Sequence, residues 1–190
     1  LFAAGGPMLI LTWHAFGLTA LLLAPVAIAL SLTPARVNAK PSLAIGAAIF
    51  GALAGLAQAM GLWRWVFVIP GLARAHADPS ASADVKLSAE RAFEILNQYG
   101  GVTIGEHLGQ WLTALFVLLL ALAQWAEGRR ISAALGFLTA LVIAIGTEEG
   151  VAIALGHSGA LFATATIVGF LGLTLWLIAS GIGEIRGKKG

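Results

Sequence analysis

Residues 101–111 read GVTIGEHLGQW and place a carboxylate and an imidazole side by side, Glu106 and His107, within an apolar stretch. Only 11% of all residues are charged, so ionisable side chains inside such stretches are few. Each costs roughly 2.5–3.5 kcal/mol when its helix inserts into lipid, which makes each a functional candidate. The candidate cluster in this sequence is His14, Arg64, Glu106, His107, Glu148 and Glu149.

These residue types allow two kinds of binding chemistry. An Arg64 guanidinium facing Glu106, Glu148 or Glu149 would form a buried charged pair able to bind a small ligand, an ion or a proton, with His14 titrating beside it. Histidines from different helices would instead hold a metal ion or haem. The candidate metal ligands are His14, His107 and His157.

The spacing of these residues weakens the metal hypothesis. Adjacent positions on a helix point about 100° apart, so Glu106 and His107 do not easily share one coordination shell. The sequence has no Glu-x-x-His pair and no cysteine. A structural interpretation also stands, in which the charges pair to fix helix register and the helix dipole favours Glu106. All three interpretations stay open, and the cofactor is unknown or absent.

Hydropathy indicates which elements position these residues. The chain is 59% hydrophobic and only 11% charged, whereas soluble domains carry roughly 25% charged residues. Its apolar runs are longer than the ~18 residues needed to cross a bilayer. The sequence therefore predicts an all-α, polytopic transmembrane bundle that forms a single domain over residues 1–190. The predicted spans are residues 8–30, 42–69, 102–125, 131–154 and 160–182.

The polar stretch 70–100 separates the second and third spans. Residues 70–83 are predicted to form a loop. Residues 84–99 then repeat apolar side chains at helical spacing, which predicts an amphipathic helix on the membrane surface. Gly100 and Gly101 are the expected end of this helix, because glycine favours the C-terminal cap.

Lysine and arginine predict the orientation in the membrane, since cytoplasmic segments are enriched in both. Segments 31–41 and 127–130 and the C-terminus are basic, so all three are expected in the cytoplasm of a bacterial inner-membrane protein. The stretch 70–100 is expected outside. In this arrangement the candidate cluster lies in the outer half of the spans, and the inner halves carry no charged residue.

Small residues recur every fourth position in two of the spans. Such seams allow close helix–helix approach in lipid, where the hydrophobic effect does not drive association. Whether each seam contacts this chain or another chain is open. The predicted packing residues are Ala47, Gly51, Gly55 and Ala59 in the second span, and Gly101, Gly105 and Gly109 in the third.

Three stretches, LFAAGGP…WHAFGL, GLWRWVFVIPGLARAHADP and GGVTIGEHLGQWLTAL, resemble a bacterial multi-pass membrane family known only as domain of unknown function 4386. The resemblance covers most of the chain and implies six spans in the intact protein, with one span ahead of LFAAGGP. His14 stands where such members often carry an aromatic residue. The resemblance implies no activity, cofactor or catalytic residue.

No GxSxG, HExxH, Walker or dinucleotide motif is present, so catalysis is not favoured. The leading hypothesis is a non-catalytic membrane protein that serves as an accessory or scaffold subunit of a larger complex, such as a respiratory or photosynthetic assembly. Its expected partners are the lipid bilayer and other membrane subunits, and not nucleic acid. The alternatives are a sensor or carrier of a small ligand, ion or proton, and a metal- or haem-dependent membrane enzyme.

Overall fold

The computed structural model describes residue 2 and residues 5–187. The predicted basic tail residues Lys188 and Lys189 lie outside the described residues, as does the side chain of Arg186. The described residues form helices joined by short turns and loops, with no strand among them. In chain order the helices are α1 (Gly6–Leu21), α2 (Leu23–Ser31), α3 (Pro34–Ala39), α4 (Pro41–Phe67), α5 (Ile69–Ala77), α6 (Ala83–Leu96), a π-helix (Asn97–Leu108), α7 (Gly109–Ala126), α8 (Arg130–Gly146), α9 (Glu149–Ala154) and α10 (Ala160–Gly187).

The predicted all-α transmembrane architecture is confirmed. Within the described residues, five helical stretches are long and apolar enough to cross a membrane. Each contains or closely overlaps one predicted span, because runs of apolar residues in lipid must satisfy their backbone hydrogen bonds within the helix. The stretches are Gly6–Ser31, Pro41–Ala77, Ala83–Ala126, Arg130–Ala154 and Ala160–Ile185.

Proline and glycine interrupt two of these stretches. The first breaks at Leu22, between α1 and α2. Pro25 explains this break, because its ring has no N–H to donate to the carbonyl of Leu21 and clashes with that carbonyl. The fourth stretch breaks after Gly146, where residues 147–148 form a turn before α9.

The predicted boundaries between the second and third spans are wrong in two places. The segment expected to be a loop contains α5, which folds back as a helical hairpin with α6. Gly100 and Gly101 do not end the amphipathic helix, because both lie inside the π-helix that joins α6 to α7 without interruption. A glycine favours a helix end where the chain can turn away from the helix axis. Here the segment that contains Gly100 and Gly101 packs against α4 and continues as a helix.

Helix α7 lies at the centre of the bundle, between α4 and α8. Helix α10 packs against α8, and its side chains also contact α7. The α7 side chains Phe116, Val117 and Leu120 are fully buried. Trp176 of α10 is also fully buried, with its ring edge-on to Phe116 at a centroid distance of 5.7 Å. The first and last stretches are the least buried, so they form the two flanks of the bundle.

Both glycine seams contact helices of this same chain. In the second span Ala47 and Ala59 are fully buried, as are Gly51 and Gly55. A Cβ at Gly55 would lie 2.9 Å from the carbonyl oxygen of Ala20. The small residues of α4 therefore allow the first stretch to approach it closely.

The seam of the third span also packs against α4. A Cβ at Gly101 would lie 2.5 Å from the guanidinium of Arg64, and one at Gly109 would lie 2.8 Å from Gln58. At Gly105 the added atom would meet the backbone of Gly61. This seam therefore brings the π-helix and α7 against α4 and places Arg64 beside them.

Candidate functional site

A cavity of about 390 Å³ lies between α1, α4, the π-helix and α10, near the end of α4 that carries Arg64. Its volume is in the range of small-molecule sites, which is roughly 300–1,000 Å³. We refer to it as the Arg64 pocket. It is lined by Trp13, Gln58, Gly61, Leu62, Arg64, Trp65, Gly101, Gly105, Glu106, Gln110 and Phe170.

The guanidinium of Arg64 is held from two sides. Its Nη1 donates to the carbonyl of Gly61 at 2.5 Å, and its Nη2 donates to Oδ1 of Asn97 at 3.1 Å. The cation also lies 4.9 Å from the centre of the Trp65 ring. Nε is buried and has no hydrogen-bond partner among the described residues. Two of the five N–H groups of Arg64 therefore fix the guanidinium in place, and the remaining N–H groups of Nη1 and Nη2 are left for another acceptor.

Glu106 lies in the same pocket, but its side chain is exposed. The predicted ion pair with Arg64 is not formed, since no carboxylate in the described part of the chain lies within 4.0 Å of that guanidinium. Asn97 and Gly61 bind the guanidinium instead. The pocket thus presents one cation and one anion that do not neutralise each other by contact.

The π-helix positions Glu106. Its hydrogen bonds run from residue i to i−5, as in the bond from the N–H of Gly109 to the carbonyl of Ile104. The hydroxyl of Thr103 bonds to the carbonyl of Gln98 in the same register. This wider turn changes the direction of the side chains that follow it. π-helical segments are rare, and many lie at functional sites.

Two glutamines complete the polar lining of the pocket. Nε2 of Gln58 donates to the hydroxyl of Thr113 at 2.8 Å. Oε1 of Gln110, a buried residue, accepts from Thr166 of α10 at 3.3 Å. Sequence reasoning missed both residues, because a neutral amide in an apolar run does not stand out as charge does.

The other members of the predicted cluster lie beside the pocket. Nδ1 of His107 is 2.9 Å from the carbonyl oxygen of Thr147, so its ring spans the gap to the turn after α8. Glu149 lines a small cleft together with Glu106 and His107. Glu148 lies 3.4 Å from the hydroxyl of Thr147 and does not line the Arg64 pocket.

The three candidate metal ligands occupy different surroundings. His14 stacks against Trp63 at 6.0 Å between ring centroids, on a face of α4 away from the pocket. His107 bonds to a backbone carbonyl, and His157 is exposed in the turn before α10. No three residues among the described His, Asp and Glu lie close enough to hold one metal ion. The candidate ligands His14, His107 and His157 therefore do not converge on one metal ion.

Residues 2–181 match the family model described as Domain of unknown function (DUF4386), which covers nearly the whole chain. The chain belongs to this family. The family predicted from the three sequence stretches is thus confirmed. Searches of curated proteins and of solved structures found no match.

This DUF4386 protein has a second charged cluster, at the opposite end of the bundle, that sequence reasoning missed. Arg36, with only 3% of its side chain exposed, binds both oxygens of Glu127 at 2.5 and 2.8 Å. The same guanidinium donates to Glu184 at 2.6 Å. Arg129 also binds Glu184. We refer to Arg36, Glu127, Arg129 and Glu184 as the Arg36 cluster.

The Arg36 cluster lies at the ends of the predicted spans and in the connections between them, so it leaves the prediction that their inner halves carry no charged residue unchanged. It joins α3, the turn after α7 and the end of α10, which continues past the predicted limit of residue 182. Burial lowers the pKa of Arg36, but the hydrogen bonds and charges of Glu127 and Glu184 outweigh it and raise the pKa above its usual value. Arg36 therefore stays charged at any physiological pH.

A signal for this cluster was present in the sequence. EGRR and GEIRG each place one acid inside a basic segment at the same predicted end of the bundle. The cluster continues inward through hydrogen bonds of the fully buried Gln124, which donates to the fully buried Ser180 and accepts from the half-buried Ser132, both at 2.9 Å. Because every member is paired, the Arg36 cluster suits a structural role, whereas the Arg64 pocket leaves charges for a ligand.

Proposed function

We propose that this DUF4386 protein is a non-catalytic membrane protein that binds a small molecule in the Arg64 pocket, as a sensor or carrier. The observation that carries the proposal is an immobilised guanidinium and an exposed carboxylate that line one cavity without pairing. Buried or half-buried charges are usually paired, because removing them from water is costly. An unpaired cation and anion in one cavity favour a ligand that bears complementary groups.

The lining supports binding rather than catalysis. Trp13 and Trp65 stack on each other at 5.2 Å and give the pocket an aromatic wall. Gln58 and Gln110 add neutral polar groups. The lining has no serine, cysteine or histidine that would form a nucleophile–base pair with Glu106. A few polar groups in a mainly apolar cavity are typical of sites that fix a ligand's orientation.

Removing either charge is expected to release the ligand. Each charge-assisted hydrogen bond contributes about 1.5–3 kcal/mol, so Arg64→Gln or Glu106→Gln should lower affinity roughly ten- to a hundredfold. The measurement is native mass spectrometry of the protein purified in mild detergent. The wild-type protein should carry an adduct of fixed mass whose occupancy falls in both variants.

Glu148→Gln is the matched control, because it removes a carboxylate near the same end of the bundle but outside the pocket lining. Its adduct occupancy should equal that of the wild-type protein. Equal occupancy in Arg64→Gln, Glu106→Gln and Glu148→Gln would contradict the proposal.

The same proposal places the protein in a bacterial inner membrane with the Arg36 end in the cytoplasm. Basic segments 31–41 and 127–130 and the C-terminus support this orientation. Glu127 and Glu184 neutralise part of this charge, but acidic residues contribute little to orientation. The α5–α6 hairpin and the Arg64 pocket then face the outside.

The absence of cysteine allows a direct test of this orientation. Ser80→Cys and Lys40→Cys each place one thiol at an exposed position, in the hairpin and in the connection after α3. A membrane-impermeant maleimide should label Ser80→Cys in intact cells and Lys40→Cys only after lysis. The reverse pattern would show the opposite orientation.

An accessory subunit of a larger complex remains the second candidate. The observation that favours it is the low burial of the first and last spans, each only 17% buried within the chain. Such flanks leave faces on which other membrane helices can pack. The purification described above also tests this proposal, since a subunit should elute with a larger complex, and Glu106→Gln should then reduce stability without changing an adduct.

A further inference from the structure

The Arg64 pocket continues into a second cavity that runs toward the middle of the bundle. This lateral groove, of about 550 Å³, shares Gln58, Leu62 and Phe170 with the pocket. It lies between the first span and α10, the two least buried spans. The rest of its lining is Phe16, Thr19, Ala20, Leu22, Leu23, Val26, Leu173, Thr174 and Leu177.

The groove and the pocket differ sharply in polarity. No ionisable residue lines the groove. Its two threonines use their hydroxyls on their own helices, since Thr19 donates to the carbonyl of Phe16 at 2.8 Å and Thr174 to that of Phe170 at 3.0 Å. The groove therefore has an apolar surface, whereas the adjoining pocket at its outer end is lined by the charged side chains of Arg64 and Glu106. A molecule that fills both must be an amphiphile.

We propose that the ligand of this site is a zwitterionic phospholipid with an ethanolamine head group, one of whose acyl chains lies in the lateral groove. This inference rests on the proposed function and names its ligand class. The phosphate would accept from Arg64, which lines the pocket and uses only one N–H group on each of Nη1 and Nη2. The ammonium would pair with the exposed carboxylate of Glu106.

The charge of the site distinguishes this lipid from an anionic one. Phosphatidylglycerol also carries a phosphate for Arg64, but it has no cation for Glu106 and would meet that carboxylate with like charge. Trp13 and Trp65 line the head-group end, where amphipathic aromatic rings favour the bilayer interface. The proposed orientation of the lipid thus matches the direction of the bilayer around it.

The test is native mass spectrometry of delipidated protein with phosphatidylethanolamine and phosphatidylglycerol of identical chains, and with soluble phosphoethanolamine. Phosphatidylethanolamine should bind about tenfold tighter than phosphatidylglycerol, because one charge-assisted contact separates them. Glu106→Gln should remove this preference. Phosphoethanolamine alone should bind weakly, since it lacks the chain.

Thr174→Trp tests the chain end of the site by filling the groove. Thr164→Trp is its matched control. Both threonines are exposed on α10 and donate to the carbonyl four residues earlier at 3.0 Å, but only Thr174 lines the groove. Thr174→Trp should weaken phosphatidylethanolamine binding at least about tenfold, as expected for lost apolar burial of several methylene groups. Thr164→Trp should not change it.

Equal binding of the two phospholipids, or equal binding by Thr174→Trp and Thr164→Trp, would overturn the lipid inference. The lipid inference can fail in this way while Glu106→Gln still lowers adduct occupancy or phosphoethanolamine binding. The proposed ligand pocket then stands, and only its ligand class is wrong. If neither adduct occupancy nor phosphoethanolamine binding responds, both proposals fail. A partner subunit lost specifically in Thr174→Trp would also overturn the inference, because a protein helix would then occupy the groove.

Discussion

Arg36→Ala is expected to destabilise the protein by about 3 kcal/mol, near the lower end of the roughly 3–5 kcal/mol typical of broken buried ion pairs. The variant leaves Glu127 and Glu184 without their main cation. Arg36 is 3% exposed and the two carboxylates are 31% and 25% exposed. Arg129 and partial solvation compensate part of the loss, which places the effect at the lower end.

The measurement is the free energy of unfolding in mixed micelles titrated with a denaturing detergent. Arg91→Ala is the control, because Arg91 also binds a glutamate at 2.8 Å, but both partners are exposed. Exposed pairs contribute about 0–1 kcal/mol, so this variant should lie close to the wild-type protein. Equal effects of Arg36→Ala and Arg91→Ala would show that the Arg36 cluster does not hold the helices together.

Gly105→Ala is expected to destabilise the protein by about 1–3 kcal/mol, the usual cost of overpacking, and Gly105→Leu by more. A Cβ at Gly105 would lie 2.9 Å from the Cα of Gly61. The obstacle is backbone, so no side-chain rotation relieves the clash, and the π-helix must move away from α4. Because Glu106 is the next residue, adduct occupancy should fall together with stability.

Gly181→Ala is the matched control for this prediction. Gly181 also lies within a membrane-spanning helix, but nothing lies within 4 Å of a Cβ built there. Alanine favours a helix by roughly 0.5–1 kcal/mol over glycine, so this variant should be neutral or slightly more stable. If Gly105→Ala behaved like Gly181→Ala, the close contact between α4 and the π-helix would not be a constraint on the fold.

Local sequence properties predicted the helical architecture well, but they failed where distant segments meet. The spans followed from run length, since lipid forces an apolar run of that length into a helix. Gly100 and Gly101 were misassigned as a helix end because both pack against Arg64. Arg64 lies 37 residues before Gly101 in the sequence, so this contact has no local signal. The π-helix likewise occurs where this segment packs against α4, a contact that local sequence does not reveal.

The candidate site was predicted by residue type but not by arrangement. Intramembrane charge is costly, so Arg64 and Glu106 stood out in the sequence, and both line one pocket. Their lack of direct pairing was not predictable, because it depends on Asn97 and a backbone carbonyl binding the guanidinium. Gln58 and Gln110 carried no comparable signal, since neutral amides are tolerated in many helix contacts.

Residue order is enough to identify an all-helical DUF4386 membrane protein with small-residue seams and few intramembrane charges, because hydropathy, composition and family pattern depend on neighbouring residues. Which charges neutralise each other depends instead on the fold. It paired Arg36 with Glu127 and Glu184, residues 91 and 148 positions away. It left Arg64 and Glu106 unpaired in a common cavity, since Coulomb attraction depends on distances in space that residue order does not encode.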